Sequence, residues 1–158
     1  MIKNWIKIQE EDFNQGALIE WLQSNDDNYG ALVTFTGVVR DSYTQDLDKM
    51  FLEHYPGMTE NCLQNIIAQA RKRWQLGPVC IVHRVGELEK KDNIVFIGVI
   101  SAHRVAAFEA SQFIMDYLKK DAPFWKKEMT ETADVWVEQK ESDLMAADKW
   151  SNNTESSK

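Results

Sequence analysis

The chain has 158 residues, with 18 Lys and Arg against 25 Asp and Glu, and a formal net charge of −7. That length suits one domain whose core needs no metal or disulfide staple. The acidic balance argues against a nucleic-acid-coating protein, which needs a basic face, and against a polybasic membrane surface. The longest apolar run, Ile94 to Ile100, falls far short of the roughly 20 residues that span a bilayer. Met1 to Phe13 is mixed and acidic, so no secretory signal is expected. Cys62 and Cys80 form no CxxC pair, and His54, His83 and His103 are scattered. Two buried, reduced thiols and no zinc site are therefore expected.

Ile2 to Ile8 alternates as a short strand, and Phe13 to Gln23 has apolar residues at helical spacing. Ala31 to Val39 is rich in β-branched and aromatic residues, a strand pattern. Asp41 to Asp48 reads as an exposed loop, and Lys49 to Tyr55 as a strand stopped by Pro56-Gly57. Thr59 is placed to cap a helix whose face is Leu63, Ile66, Ile67, Ala70 and Trp74. Arg71, Lys72 and Arg73 then fall in its last turn, where cations suit the dipole. Val79 to Arg84 and Asn93 to Ser101 read as strands, with a Gly86 turn and a charged stretch between them. A helix follows from Val105 to Lys119, with Ala106, Ala110, Phe113, Ile114, Tyr117 and Leu118 as its buried stripe. Pro123 ends it, and Phe124 to Lys126 reads as a loop. Val135 to Gln139 is the last expected strand, and Ser151 to Lys158 a disordered polar tail. Paired strands among helices favour an α+β fold, one domain over 1–150 with a tail over 151–158. Walker, GxGxxG and GxSxG motifs are absent.

The charge is uneven. Residues 1–30 carry net −4, residues 31–102 net zero, residues 103–127 net +2 and residues 128–158 net −5. A cationic segment in an acidic chain is a candidate anion site. Ser101-Ala102-His103-Arg104 lies where a strand passes into a helix. His103 and Arg104 there oppose the helix dipole unless an anion joins them and the free amides. A simple Arg104–Glu109 pair is the structural alternative. Lys119 closes that helix, and Lys126 follows Phe124-Trp125. Apolar rings strip hydration from a lysine and suit it to acid–base work, although both lysines also suit ordinary surface positions. Arg40 ends a strand. His83-Arg84 leads into the Gly86 turn, where structural roles are expected. Sixteen residues of helix separate His103 from Lys119 by about 24 Å. One small ligand meets both only if a two-fold dimer brings the His103 end of one subunit to the Lys119 end of its mate.

Six strings stand out in order: Phe35 to Arg40, Leu52 to Met58, His83 to Leu88, Ser101 to Arg104, Phe113 to Lys119 and Ala122 to Glu128. Together with Ala147-Asp148-Lys149-Trp150 they closely resemble the large, catalytic subunits of molybdopterin synthase, over roughly residues 31–150. The resemblance implies a cytoplasmic α+β protein with an α/β-hammerhead fold that dimerises. Each end of the dimer binds a small ubiquitin-like sulfur carrier, giving a heterotetramer. The carrier inserts a Gly-Gly tail ending in a thiocarboxylate. Its sulfur goes to cyclic pyranopterin monophosphate, making the molybdopterin dithiolene, and this sulfurtransferase step needs no metal or other cofactor. Residue by residue, Arg40, His103 and Arg104 match positions that hold the pterin phosphate, with Val38 and Val39 in the substrate-lining segment. Lys119 matches the lysine nearest the carrier's terminus. Lys126, with Lys127 and Glu128, matches a second essential cationic stretch. Lys140 stands where a close relative carries Arg, which turns a bidentate contact into a point charge, and Lys127 likewise replaces Arg. Glu138, Glu141 and Asp143 form an acidic segment able to cover a free site. Two other classes remain at this point. A non-catalytic dimeric module for a phosphorylated small molecule would need the three phosphate residues but not the lysines. A scaffold for a ubiquitin-like partner would need none of the five cations.

Overall fold

The computed structural model describes residues 2–42, 45–131, 133–137 and 141–152. In chain order the elements are β1 (Asn4–Gln9), α1 (Gln15–Ser24), β2 (Ala31–Val38), β3 (Leu47–His54), α2 (Met58–Arg73) and β4 (Val79–Arg84). They continue with β5 (Gly86–Leu88), β6 (Asn93–Ser101), α3 (Arg104–Asp121), β7 (Phe124–Thr130), β8 (Asp134–Val137) and α4 (Glu141–Asn152). The class is α+β, as expected. One sheet has the order β1-β4-β6-β2, with only the β1–β4 pair parallel, and the other the order β5-β3-β7-β8, all antiparallel.

The first sheet is covered on both faces, which explains why β4 and β6 read as nearly continuous apolar runs. Val79, Ile81, Val95, Ile97 and Val99 point to α2 and α3, packing on Leu63, Ile67, Phe113 and Ile114. Their alternate neighbours Cys80, Val82, Phe96 and Ile100 point to Leu18 and Leu22 of α1. The second sheet has its own cluster of Val39, Leu47, Met50, Leu52, Val85 and Leu88.

Several expectations need correction. Phe124 to Lys126 is not a loop: it opens β7, paired with β3 from His54↔Phe124 to Leu47↔Thr130. Pro123 stops α3, and the next residues find strand partners at once. Thr59 is not the cap of α2. Gly57 holds that position with φ +86°, and its N–H donates to the Glu60 carboxylate. Thr59 is fully buried inside the helix, accepting from the Tyr55 N–H and donating to the Pro123 carbonyl at 3.1 Å. It ties the start of α2 to the start of β7. Cys80 is buried, but Cys62 is only half-buried. On α3, Ala107, Ser111 and Asp116 are buried and Ala106 and Tyr117 half-buried, and α4 covers the side of the helix that carries Asp116. Trp150 of α4 sits edge-on to Phe113 and Trp74, and its Nε1 donates to Asp116 Oδ2 at 2.8 Å. The last strand ends at Val137, while Glu138, Gln139, Lys140 and residues 153–158 lie outside the described residues. Ser151 and Asn152 belong to α4.

Candidate active site

A cavity of about 770 Å³ opens between the end of α3, β7, β8 and the start of α4. Met50, Leu52, Ile94, Leu118 and Phe124 give it an apolar floor. Lys119 and Lys126 both face it, reaching it from the last turn of α3 and from β7. Lys126 Nζ lies 3.8 Å from Glu128 Oε1, two residues along the same face of β7. Trp125, Trp136, Ser142 and Asp143 complete the rim. Of the acidic segment, Asp143 at the start of α4 lines the rim, Glu141 does not, and Glu138 lies outside the described residues.

The alternation of β7 puts Lys127 on the other face from Lys126. There its Nζ lies 4.0 Å from Asp134 and 5.6 Å from the centre of the Trp136 ring. Val39 is only 2% exposed and packs with Met50 and Leu52, so its side chain supports the floor from behind. Val38, half exposed, and Arg40, exposed, flank it at the surface.

His103 and Arg104 lie elsewhere. His103 is the exposed N-cap of α3, with no side-chain cap hydrogen bond, and the first turn holds no acidic residue. Glu109 is engaged by Trp74 Nε1 at 2.9 Å. The local fold depends on Gly30, whose N–H donates to the Ser101 carbonyl. A Cβ on Gly30 would meet the Ala102 carbonyl oxygen at 2.3 Å, so only glycine lets that loop lie against the turn into α3. The β2–β6 register sets the distance between the two groups. Val38 pairs with Asn93, beside the cavity residue Ile94, whereas Ala31 pairs with Ser101, beside His103. The nine residues of β6 span about 27 Å. Within one chain, Arg40, Lys119 and Lys126 share one end of the sheet, and His103 and Arg104 occupy the other.

His83 also faces the cavity, a position that the reading of its neighbouring Gly86 turn did not anticipate. Its ring stacks on Phe124 with centroids 3.9 Å apart. Burial, with the charge of Lys119 adding to it, holds the imidazole pKa down to about 4. The signal available in the sequence was a histidine inside an otherwise apolar strand. Arg84 is structural, donating to the carbonyls of Glu10 and Asn93. Cys80 is unsuited to nucleophilic work, since burial pushes its thiol up to about 12, and burial also raises that of Cys62. Among the described residues no group of His, Cys, Asp and Glu is arranged to hold a metal.

Known proteins share both the sequence and this architecture. The molybdopterin synthase catalytic subunit of Escherichia coli K12 is 52% identical over 151 residues, covering 95% of this chain and all of that protein. The catalytic subunit of the same name from Salmonella typhimurium is 55% identical over 146 residues, 92% of this chain and 97% of its own. Among solved structures, the molybdopterin biosynthesis MoaE protein of Burkholderia ambifaria superposes with a TM-score of 0.82 at 44% identity, covering 94% of this chain and 98% of that one. Molybdopterin synthase from Staphylococcus aureus gives 0.77 at 31% identity, covering 83% and 95%. The sequence model of the MoaE protein family matches residues 8–121, most of the chain, and with these relatives it shows that the chain belongs to the MoaE protein family.

Proposed function

We propose that this chain is the catalytic subunit of a molybdopterin synthase, a cytoplasmic sulfurtransferase. It takes sulfur from the C-terminal thiocarboxylate of a small ubiquitin-like carrier and delivers it to cyclic pyranopterin monophosphate. The observation that carries this reading is the cavity in which Lys119 and Lys126 converge over an apolar floor. Two cations at a partly dry wall favour an anionic chain end, and they are placed to move protons and to stabilise negative charge as it develops. The thiocarboxylate sulfur attacks a pterin side-chain carbon as that carbon loses an oxygen, which in the first addition is the oxygen of the opening cyclic phosphate. Water then cleaves the acyl–sulfur bond, releasing the carrier as a carboxylate and leaving the sulfur on the pterin. Glu128, beside Lys126, holds that lysine in place. Arg40, His103 and Arg104 take the phosphate, with backbone amides at the start of α3 assisting the last two. Val38 shapes the adjoining surface, Val39 backs the cavity floor, and Lys127 supports the strand from its far face.

The opposite placement of the phosphate residues and the lysines calls for a dimer with composite sites. β2 is an edge strand, and Phe35, Val38, Val105 and Phe108 are exposed on it and on the adjoining start of α3. Antiparallel pairing of β2 with its two-fold mate would bring the Ala31 end of one subunit to the Val38 end of the other. His103 and Arg104 of one chain would then meet Arg40 and Lys119 of its partner. With a carrier at each end, the assembly is a heterotetramer.

The test is to mix the protein with thiocarboxylated carrier and cyclic pyranopterin monophosphate and to measure dithiolene. Product should form, and Lys119→Ala should abolish it while the carrier still binds. An intact complex that makes no product contradicts the reading.

A further inference from the structure

Among the polar groups lining the cavity that the proposed chemistry leaves unused, His83 is the buried one. His83 is 5% exposed, and its Nδ1 lies 2.7 Å from the carbonyl oxygen of Arg84. A carbonyl can only accept, so Nδ1 carries the ring proton and donates it. Nε2 is thereby left as a lone-pair acceptor. The stack on Phe124 fixes the ring plane, the two planes lying within 16°. Burial and Lys119 oppose a second proton, so the ring stays neutral at neutral pH.

Beside the rim residues Ser142 and Asp143, and Lys120, which pairs with Asp148, the wall therefore offers the cationic donors Lys119 and Lys126 and the neutral ring acceptor of His83. The last residue of a peptide chain presents the complementary set. Its anionic end takes hydrogen bonds from the lysines, and its own peptide N–H needs an acceptor close by. Over a floor of Met50, Leu52, Ile94 and Leu118, an unmatched N–H would be costly. None of Arg40, His103 and Arg104 lines the cavity, which leaves the wall at His83 to the chain end rather than to the phosphate ester.

We infer that His83 Nε2 accepts the peptide N–H of the carrier's terminal residue and so registers its thiocarboxylate against Lys119 and Lys126. This rests on the sulfur-carrier reading above.

The experiment uses the full chain and a carrier whose last amide is replaced by an ester, which removes the N–H at nearly constant shape. Binding of amide and ester carriers is measured by calorimetry for wild type, His83→Asn and His83→Gln. Asn keeps a donor for the Arg84 carbonyl but has nothing at the ε position, whereas Gln restores an acceptor there. Wild type should bind the ester carrier about tenfold more weakly. His83→Asn should bind both alike, and His83→Gln should regain part of the difference. Nitrogen-15 NMR of wild type gives a readout without mutation: the Nε2 resonance should shift with the amide carrier and not with the ester. An equal ester penalty in wild type and His83→Asn, or an unmoved Nε2, overturns the inference. Wild type that binds both carriers equally well also sinks the role of His83 alone. Wild type that binds neither carrier sinks the sulfur-carrier reading, and this inference with it.

Discussion

Trp150→Ala removes the peg that fixes α4 to the rest of the molecule. The indole is 7% exposed, its ring centre 5.5 Å from that of Phe113 and 5.6 Å from that of Trp74. Truncating a buried indole costs about 3–5 kcal/mol. Asp116, itself buried, loses its 2.8 Å bond from Nε1 but keeps Gln112 at 2.7 Å and Lys149 at 3.7 Å. That loss adds on the order of 1 kcal/mol. Trp150→Phe keeps most of the ring contact and deletes the donor, at a cost of about 1–2 kcal/mol. In a chain of this size each kcal/mol lowers Tm by about 2–4 °C. The Ala variant should therefore melt roughly 10–20 °C early and the Phe variant a few degrees early. Urea and thermal unfolding followed by far-UV circular dichroism avoids relying on the fluorescence of the residue removed. An Ala variant within about 1 kcal/mol of wild type would refute the docking of α4 through this residue.

Three further predictions follow from single side chains. His83 has a folded pKa of about 4 against an ordinary 6.5, so the unfolded chain takes up a proton first as the pH falls. The stability it contributes is complete above pH 6.5, declines from there to about pH 4 and amounts to about 3 kcal/mol. The stability difference between wild type and His83→Asn should shrink by that amount over this window, and a difference independent of pH would contradict the buried neutral ring. Gly30→Ala forces a methyl group onto the Ala102 carbonyl. It should cost about 1–3 kcal/mol in urea unfolding and raise KM for the pterin substrate, because it displaces His103 and Arg104. Lys126→Ala should lower dithiolene turnover about a hundredfold or more, and Lys127→Ala, on the opposite face of β7, only a few-fold; equal losses would refute the assignment of faces.

Periodic patterns carried most of the fold. α3 was legible from its helical period and β4 and β6 from nearly continuous apolar runs, each to within about two residues. β5 was not, because three residues hold no period. β7 reads Phe-Trp-Lys-Lys-Glu-Met-Thr, and its charges conceal a strand that exists only through its pairing with β3 and β8. α4 leaves Leu144 and Met145 exposed and buries Ala147 and Trp150, so its apolar residues mark no single face, and its attachment depends on Trp150 meeting Phe113 and Asp116 of α3. The Thr59 expectation failed because cap residues read alike until the buried bond to Pro123, 64 positions away, is seen. Of the candidate residues, the two lysines that line the cavity and the turn at His103 that leads into α3 were legible from residue type and helix ends. His83 was not, since its importance lies in facing Lys119 across a cavity that only tertiary packing creates.

A site shared between two subunits is open to a direct test by subunit mixing. Arg104→Ala and Lys119→Ala chains, each inactive alone, are unfolded together at equal amounts, refolded and assayed for dithiolene with thiocarboxylated carrier. Random pairing makes half the dimers mixed, and a mixed dimer carries one intact site and one doubly defective site. The composite arrangement predicts recovery of about a quarter of wild-type activity. Recovery of none, with mixed dimers demonstrably formed, would place both residues in a site within one chain and contradict the account.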